Sequence, residues 1–185
     1  VLVQVTSLEQ AKSALAGGAL GLIAKGQESG GLIGEESSFI LLQRILELAA
    51  DRKVPVWCQG GIGLHTAAGV IAGGAFGVVL DSQMALLAEC SLPEEIKSDI
   101  ASMDGSETRL LGGYGVYSRP GLAVAEYAEL SASEARQLLA DSVLLPVGQD
   151  AALAKPLATQ CTNAEGLLHT LRMSAVGHIR QATAL

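Results

Sequence analysis

The sequence predicts an α/β protein built from consecutive parallel βα units, and three observations predict it. Short apolar runs at residues 1–5 (VLVQV), 20–24 (LGLIA), 54–58 (VPVWC) and 76–80 (FGVVL) alternate with segments of helical spacing. These runs are continuously apolar rather than alternating, as expected of strands buried on both faces. The polar, glycine-rich segments all follow the runs. A β-α-β-α-β-α-β-α order implies a parallel sheet with right-handed crossovers. It places function at the C-terminal edge of that sheet, in an open α/β fold or in a (β/α)8 barrel alike.

Taken in order, residues 1–5 are the first strand. Thr6 or Ser7 caps the helix behind it, with Glu9 or Gln10 as the capping-box partner, and Gly17-Gly18 ends it. Residues 20–24 are the second strand, followed by the glycine-rich loop 25–31 (KGQESGG). Residues 39–52 read as an amphipathic helix, with Ile40, Leu41, Ile45, Leu48 and Ala49 on one side. The third strand opens the stretch 54–63 (VPVWCQGGIG), and a helix at 65–72 ends at Gly73-Gly74. After the fourth strand, Asp81-Ser82-Gln83 leads to a helix over about 84–89. Residues 91–102 read as an acidic helix with Pro93 in its first turn, and 104–121 as a glycine-rich loop. Residues 131–145 read as a helix opened by a Ser131/Glu134 capping box, and 146–162 as a linker or extended segment. Asn163 caps a last helix, 164–182, with Leu168, Leu171, Ala175 and Ile179 at helical spacing. The division that follows is 1–90 for the βα units, 91–145 for a helical extension with a Gly-rich loop, and 146–185 for a linker and C-terminal helix.

A chain of 185 residues has the length of one domain. Hydrophobic residues make up 49% and aromatic ones 3%, so the core is aliphatic. A net charge of −7 with no basic run argues against a nucleic-acid partner, which needs clustered Lys and Arg. Cys58, Cys90 and Cys161 are far apart and lack CxxC spacing. Neither a disulfide framework nor a metal site is expected from them, and a reduced, cytoplasmic setting fits best. No apolar run reaches the ~18 to 20 residues of a membrane span, and no signal peptide is read at the start. The chain begins with Val1 inside a strand-like run, without an initiating Met, and reads as an excerpt of a longer one.

Residues 54–63 organise the functional reading. Two glycines directly after a buried strand let the backbone turn tightly and expose its N–H groups. A helix starting just beyond adds its own unsatisfied N–H groups and the positive end of its dipole. Such a corner can hold a phosphate without a cationic side chain. An ordinary βα turn that needs glycine for shape is the other reading, and both stay open on this stretch alone.

Three segments in order, IAKGQESGGLIG (23–34), VPVWCQGGIG (54–63) and AAGVIAGGAFGVVLDSQ (67–83), together resemble the nitronate monooxygenase (2-nitropropane dioxygenase) family. That family includes the FMN-dependent enoyl-acyl-carrier-protein reductases. The resemblance covers about residues 1–89, the last four βα units of a TIM barrel. It implies parallel βα units forming about half of a TIM (β/α)8 barrel, followed by C-terminal helices. FMN would lie at the C-terminal face, with NAD(P)H as reductant. The cofactor-binding candidates are then Lys25, Gly26, Glu28, Gly30, Gly31, Gln59, Gly60, Gly61 and Ser82. Purely structural roles stand beside these: turns for the glycines, and backbone capping for Glu28. For Lys25 they are a solvated position or an ion pair with Glu28, and its further functional alternative is a Schiff-base nucleophile in an aldolase-like barrel.

Two departures from the family pattern matter. Where the family loop carries His after its two glycines, this chain has Leu32, which cannot transfer a proton. The catalytic residue is therefore unknown from sequence. Where the family offers a Gly-Thr pair to the FMN phosphate, this chain has Asp81-Ser82. Ser82 can still donate, while Asp81 adds a negative charge. The function expected is an FMN-dependent oxidoreductase domain, an enoyl-thioester reductase or a nitronate monooxygenase-like enzyme. Its substrate would be an acyl thioester or small molecule. The domain would belong to a larger chain, such as a polyketide or polyunsaturated fatty acid synthase, or to a homo-oligomer. The alternative is a degenerate, non-catalytic barrel segment acting as a structural or docking module.

Overall fold

The computed structural model describes residues 1–117, 130–141 and 144–183. In chain order its first elements are β1 (Leu2–Val5), α1 (Leu8–Ala16), β2 (Gly21–Lys25), β3 (Gly31–Leu32), α2 (Ser38–Ala49), β4 (Val56–Gln59), α3 (Leu64–Ala72) and β5 (Gly77–Val79). Then come α4 (Glu94–Ser102), β6 (Thr108–Leu111), β7 (Tyr114–Tyr117), α5 (Ala132–Ala140), α6 (Ala154–Ala158) and α7 (Ala164–Thr183).

β1, β2, β4 and β5 form one sheet in that order, and every neighbouring pair is parallel. The ladder continues past the strands at one end, where Gly26 N donates to Gln59 O at 3.0 Å. The turns after β2 and β4 thus share one rim, as the sequence predicts. Successive side chains point to opposite faces. Val5, Leu22, Ala24, Val56 and Cys58 enter the core formed with α1, α2, α3 and α7. Burying Leu41, Leu42 and Ile45 of α2 there contributes about 1.5 to 3 kcal/mol each.

The other face carries Leu2, Gln4, Ile23, Lys25, Trp57 and Gln59, and burial on both faces does not hold for it. Leu2 is 52% exposed, and Ile23 and Trp57 are half-buried. The helices cover one side of the sheet and leave this inner side open. Trp57 lies across it because glycines make room for the indole: a Cβ at Gly77, its register partner on β5, or at Gly21, two residues before its β2 partner Ile23, would come within 2.8 or 2.6 Å of the ring. Phe76 meets Trp57 edge-on, with ring centroids 5.0 Å apart.

Capping settles the helix starts. Ser7 accepts from Gln10 N, and the Gln10 side chain accepts from Thr6 N at 2.8 Å. The Ser131/Glu134 capping box forms, and Asn163 Oδ1 accepts from Gly166 N at 2.8 Å.

Several expectations are corrected. No helix forms over 84–89; a single 3-10 turn, Ser82–Met84, is followed by turns that Ala88 N ties to Thr162 O at 2.9 Å. Within the expected loop 104–121, β6 and β7 pair as an antiparallel hairpin. Gly112 (φ 54°) and Gly113 (φ 83°) supply the two left-handed residues of a tight turn. β3, expected as loop, joins that hairpin because β7 offers it a free edge, giving the sheet order β3-β7-β6. The expected linker 146–162 contains the 3-10 turn Gln149–Leu153 and α6, with Ala151, Ala154 and Leu157 buried. Pro156 is tolerated there because it sits in the first turn of α6, where its missing N–H has no intrahelical partner to lose. Among the described side chains of α7, Leu167 and Leu171 are buried, whereas Leu168 is 63% exposed. On α2, Leu42 is buried and Ile40 is 51% exposed. Residues 118–121, 142 and 143 of the expected loop and helix, and the side chains of Ala175 and Ile179, lie outside the described residues.

Candidate functional site

The rim at the C-terminal end of the parallel sheet collects polar side chains from distant parts of the chain. Lys25 closes β2 and Gln59 closes β4; they are partners in register and both are buried. Gln59 Oε1 accepts from Gln4 Nε2 at 2.5 Å, and Gln59 Nε2 donates to Asp81 Oδ2 at 3.0 Å. A chain of amides therefore crosses the inner face from β1 to the end of β5. Asp81 N donates to Gln83 Oε1, and Gln83 Nε2 donates to Ile62 O, both at 2.9 Å. Gln83 is 1% exposed and ties the Gly60-Gly61 corner to the turn that follows β5.

Ser82 Oγ donates to Asp150 Oδ1 at 2.8 Å, and Asp150 N donates to Glu28 O at 3.1 Å. Asp150 thereby joins the β5 turn to the glycine-rich loop. Its carboxyl is pushed up to about 6 by burial and by the nearby Asp81 charge, with Ser82 and Gln83 acting in the opposite sense. Lys25 is held below the usual lysine range by burial, with Asp81 and Asp150 acting in the opposite sense. Its ammonium has no hydrogen bond and no carboxylate oxygen within 4.0 Å among the described residues. At the rim, two buried polar atoms, Ser29 Oγ and Asp150 Oδ2, also lack partners among the described residues. Native interiors leave few such atoms unpaired, so the rim has unused hydrogen-bonding capacity.

The sequence candidates fall into two groups. Lys25, Gln59, Gly60, Gly61 and Ser82 stand together at the rim. Gly60 (φ 104°) and Gly61 (φ 64°) hold a left-handed corner, and a Cβ at Gly60 would lie 2.7 Å from Ser29 Oγ. Gly31 faces the same region, where a Cβ would stand 3.6 Å from Lys25 Nζ. Gly26 and Gly30 instead lie against protein backbone, that of Ser38 and Pro146 respectively. Glu28 turns its carboxylate to Ser38 N at 2.9 Å, capping α2, so the ion pair with Lys25 does not form. Leu32 is paired with Tyr114 in the small sheet and is 47% exposed.

Beside the rim, an apolar cleft of about 250 Å³ opens from Asp81 and Ser82. Met84, Leu92, Ile96, Ile100 and Val147 are among its walls.

The family model described as nitronate monooxygenase matches residues 1–175. The chain belongs to the nitronate monooxygenase family. A search of curated proteins found no match. Among solved structures, FabK from Thermotoga maritima is 21% identical with a TM-score of 0.81, over all of this chain and 63% of that one. A nitroalkane oxidase from Streptomyces ansochromogenes is 24% identical with a TM-score of 0.72, over all of this chain and 59% of that one. The enoyl reductase domain of MlnA from Bacillus amyloliquefaciens is 11% identical with a TM-score of 0.71, over all of this chain and 69% of that one. These likenesses identify the four parallel strands and their helices as part of a TIM barrel. The chain spans less than two thirds of the FabK and nitroalkane oxidase structures.

Within this nitronate monooxygenase-family chain, the rim residue that sequence reading misses is Asp150. It lies 68 positions from Ser82, in a segment read as linker. The signal that could have found it is GQD directly before the apolar spacing of residues 151–157, an acid in the first turn of a helical segment.

Proposed function

We propose that this chain is the C-terminal part of the barrel of an FMN-dependent oxidoreductase, acting on an enoyl thioester or a nitronate. The observation that carries the reading is the convergence of Lys25, Gln59 and the Gly60-Gly61 corner on one rim, in a chain of this family. The rim fits a flavin: Ser29 Oγ and the Lys25 ammonium are unpartnered there, and a side chain would fill the Gly60 corner. Lys25, Gln59, Gly60, Gly61 and Gly31 would hold the group, with the start of α3 favouring its anionic end. Bound there, FMN would supply hydride transfer, with NAD(P)H as the source of electrons.

The chain's own part is binding, orientation and proton handling. Gln59 is fixed from both sides by Gln4 and Asp81 and presents a held amide. Leu32 has no proton to give, so proton exchange at this rim falls to Lys25 Nζ and Asp150 Oδ2. The apolar cleft beside Asp81 would take the acyl part of a thioester. The setting is a reduced cytoplasm, consistent with the free thiols Cys58, Cys90 and Cys161. No helix among the described residues is long and apolar enough to cross a membrane. The open inner face is covered by a longer chain, such as a multidomain synthase, or by a second copy.

Leu32 favours a second reading, a non-catalytic barrel segment that serves as a docking module. The absorption spectrum of the purified full chain separates the two. A yellow, FMN-loaded protein supports the oxidoreductase, and a colourless one that takes up no added FMN supports the docking module.

A further inference from the structure

A carboxylate offers only lone pairs, whereas an amide has a carbonyl end and an NH2 end. Gln59 stands between Gln4 and Asp81. Toward Asp81 Oδ2 only its Nε2 can turn, since Oε1 there would set lone pair against lone pair. Oε1 is then left to Gln4, whose own amide can present either end. The sense of the whole row is therefore set at Asp81, and Gln4 follows it. Asp81 is itself anchored through its main chain, because Asp81 N donates to Gln83 Oε1 and the buried Gln83 is tied to Ile62 O.

One N–H of Gln59 is spent on Asp81, and the other has no partner among the described residues. Lys25, its register partner on β2, carries an ammonium that is also unpartnered. Register partners share a face of the sheet. Two buried side chains thus stand side by side at the rim, each with hydrogens to give, while the one acceptor of Gln59 is occupied.

We propose that Asp81 is a positioning residue: by accepting from Gln59 Nε2 it fixes the polarity of the Gln59 amide, so that Gln59 and Lys25 together offer donors, and the site favours the electron-rich, reduced form of a flavin. The ligand class rests on the flavin reading. Reduction adds two electrons to the ring, and donors already in place hold the added charge without reorganising. The negative charge of Asp81 acts by itself the other way, against an electron-rich ring. The two effects have opposite sign and can be separated. The ring alone carries them, so lumiflavin, which has neither ribityl chain nor phosphate, serves as a probe beside FMN.

The test has two readouts on the full chain. Without flavin, the Gln59 side-chain NH2 is followed by nitrogen-15 NMR and identified by its loss in Gln59→Leu. In wild type one of its protons should exchange slowly with solvent, and Asp81→Leu should speed that exchange at least tenfold. Asp81→Asn keeps an acceptor without the charge and should restore the slow exchange. With FMN and with lumiflavin, the ratio of reduced-form to oxidised-form affinity is measured anaerobically near pH 7, for Asp81→Leu in the wild-type and Gln59→Leu backgrounds. In the Gln59→Leu background the substitution registers whatever Asp81 does by its charge, on Lys25 and Asp150 included. The ratio should fall in the wild-type background, and the two backgrounds should differ by about tenfold. Asp81→Ala takes the place of Asp81→Leu if the latter does not fold. A difference under twofold, or Gln59 protons that Asp81→Leu leaves unmoved, overturns the proposal. If wild type and variants bind neither flavin, the flavin reading fails and the Gln59 resonances decide alone. Exchange that quickens on loss of Asp81 then supports the positioning role, and unchanged exchange overturns it.

Discussion

The α-carbon of Gly30 packs against the main chain of Pro146 so closely that a Cβ at Gly30 would come within 2.1 Å of the Pro146 carbonyl oxygen. Gly148 makes the reciprocal approach, with a Cβ there 2.3 Å from Glu28 O. Both neighbours are backbone, which cannot rotate away, and the same contact carries Asp150 to the rim. Gly30→Ala or Gly148→Ala should therefore destabilise the protein by about 2 to 4 kcal/mol. Gly18→Ala is the control: its φ of 80° is left-handed but a Cβ there meets nothing within 4 Å, so about 1 kcal/mol is expected. Urea unfolding measures all three. A Gly30 variant no worse than the Gly18 variant would mean that the loop and the 146–150 segment do not touch.

What was legible in the sequence follows from how local each signal is. The four parallel strands are short apolar runs set off by glycines, and Ser131 with Glu134 is a cap written within four residues. Glu28 shows the boundary of that legibility. Its residue type allows both a ligand role and a backbone cap, and only the approach of Ser38 decides for the cap. β3 is two residues long and becomes a strand because β7 lies beside it. Nothing in Gly31 or Leu32 favours a strand by itself. Asp150 meets Ser82 only through the path of the chain through α4 and the β6–β7 hairpin, which no periodicity encodes. The inner face misled the reading because apolar strands look alike whether helices cover one side or both.

The three thiols should differ in reactivity. Cys58 is fully buried in β4, and burial pushes its thiol up to about 12. Cys161 is buried, is also raised by burial, and donates to Leu157 O at 2.8 Å. Cys90 is half-buried in the turns before α4. Since the thiolate is the reacting form, a disulfide reagent at about pH 8 should modify one thiol per folded chain, and peptide mapping should place it at Cys90. Unfolding in urea should release the other two. Rapid labelling of Cys58 in the folded protein would contradict the sheet packing described above.

Asp150 also makes stability depend on pH, and the direction is opposite to that of an ordinary paired carboxylate. Its folded pKa of about 6 lies above the model-peptide value of 3.8. Between the two values the folded chain holds a proton that the unfolded chain has released. Stability from this group is then fully present below about pH 4 and is lost as pH rises through about 6. The shift corresponds to about 3 kcal/mol at full ionisation, as an order of magnitude. Asp150→Asn mimics the protonated form and should remove this fall. The variant should be more stable than wild type by about 1 kcal/mol near pH 4.5 and by about 3 kcal/mol near pH 7.5. Taking the difference between variant and wild type at each pH cancels the titration of the exposed carboxylates, among them Asp104 and Glu134, which hydrogen bonding shifts downward. Urea unfolding at a series of pH values supplies the curve. A difference that stays constant with pH would show that Asp150 is ionised at all of them, and that the acceptor-lined rim is more open to water than its burial implies.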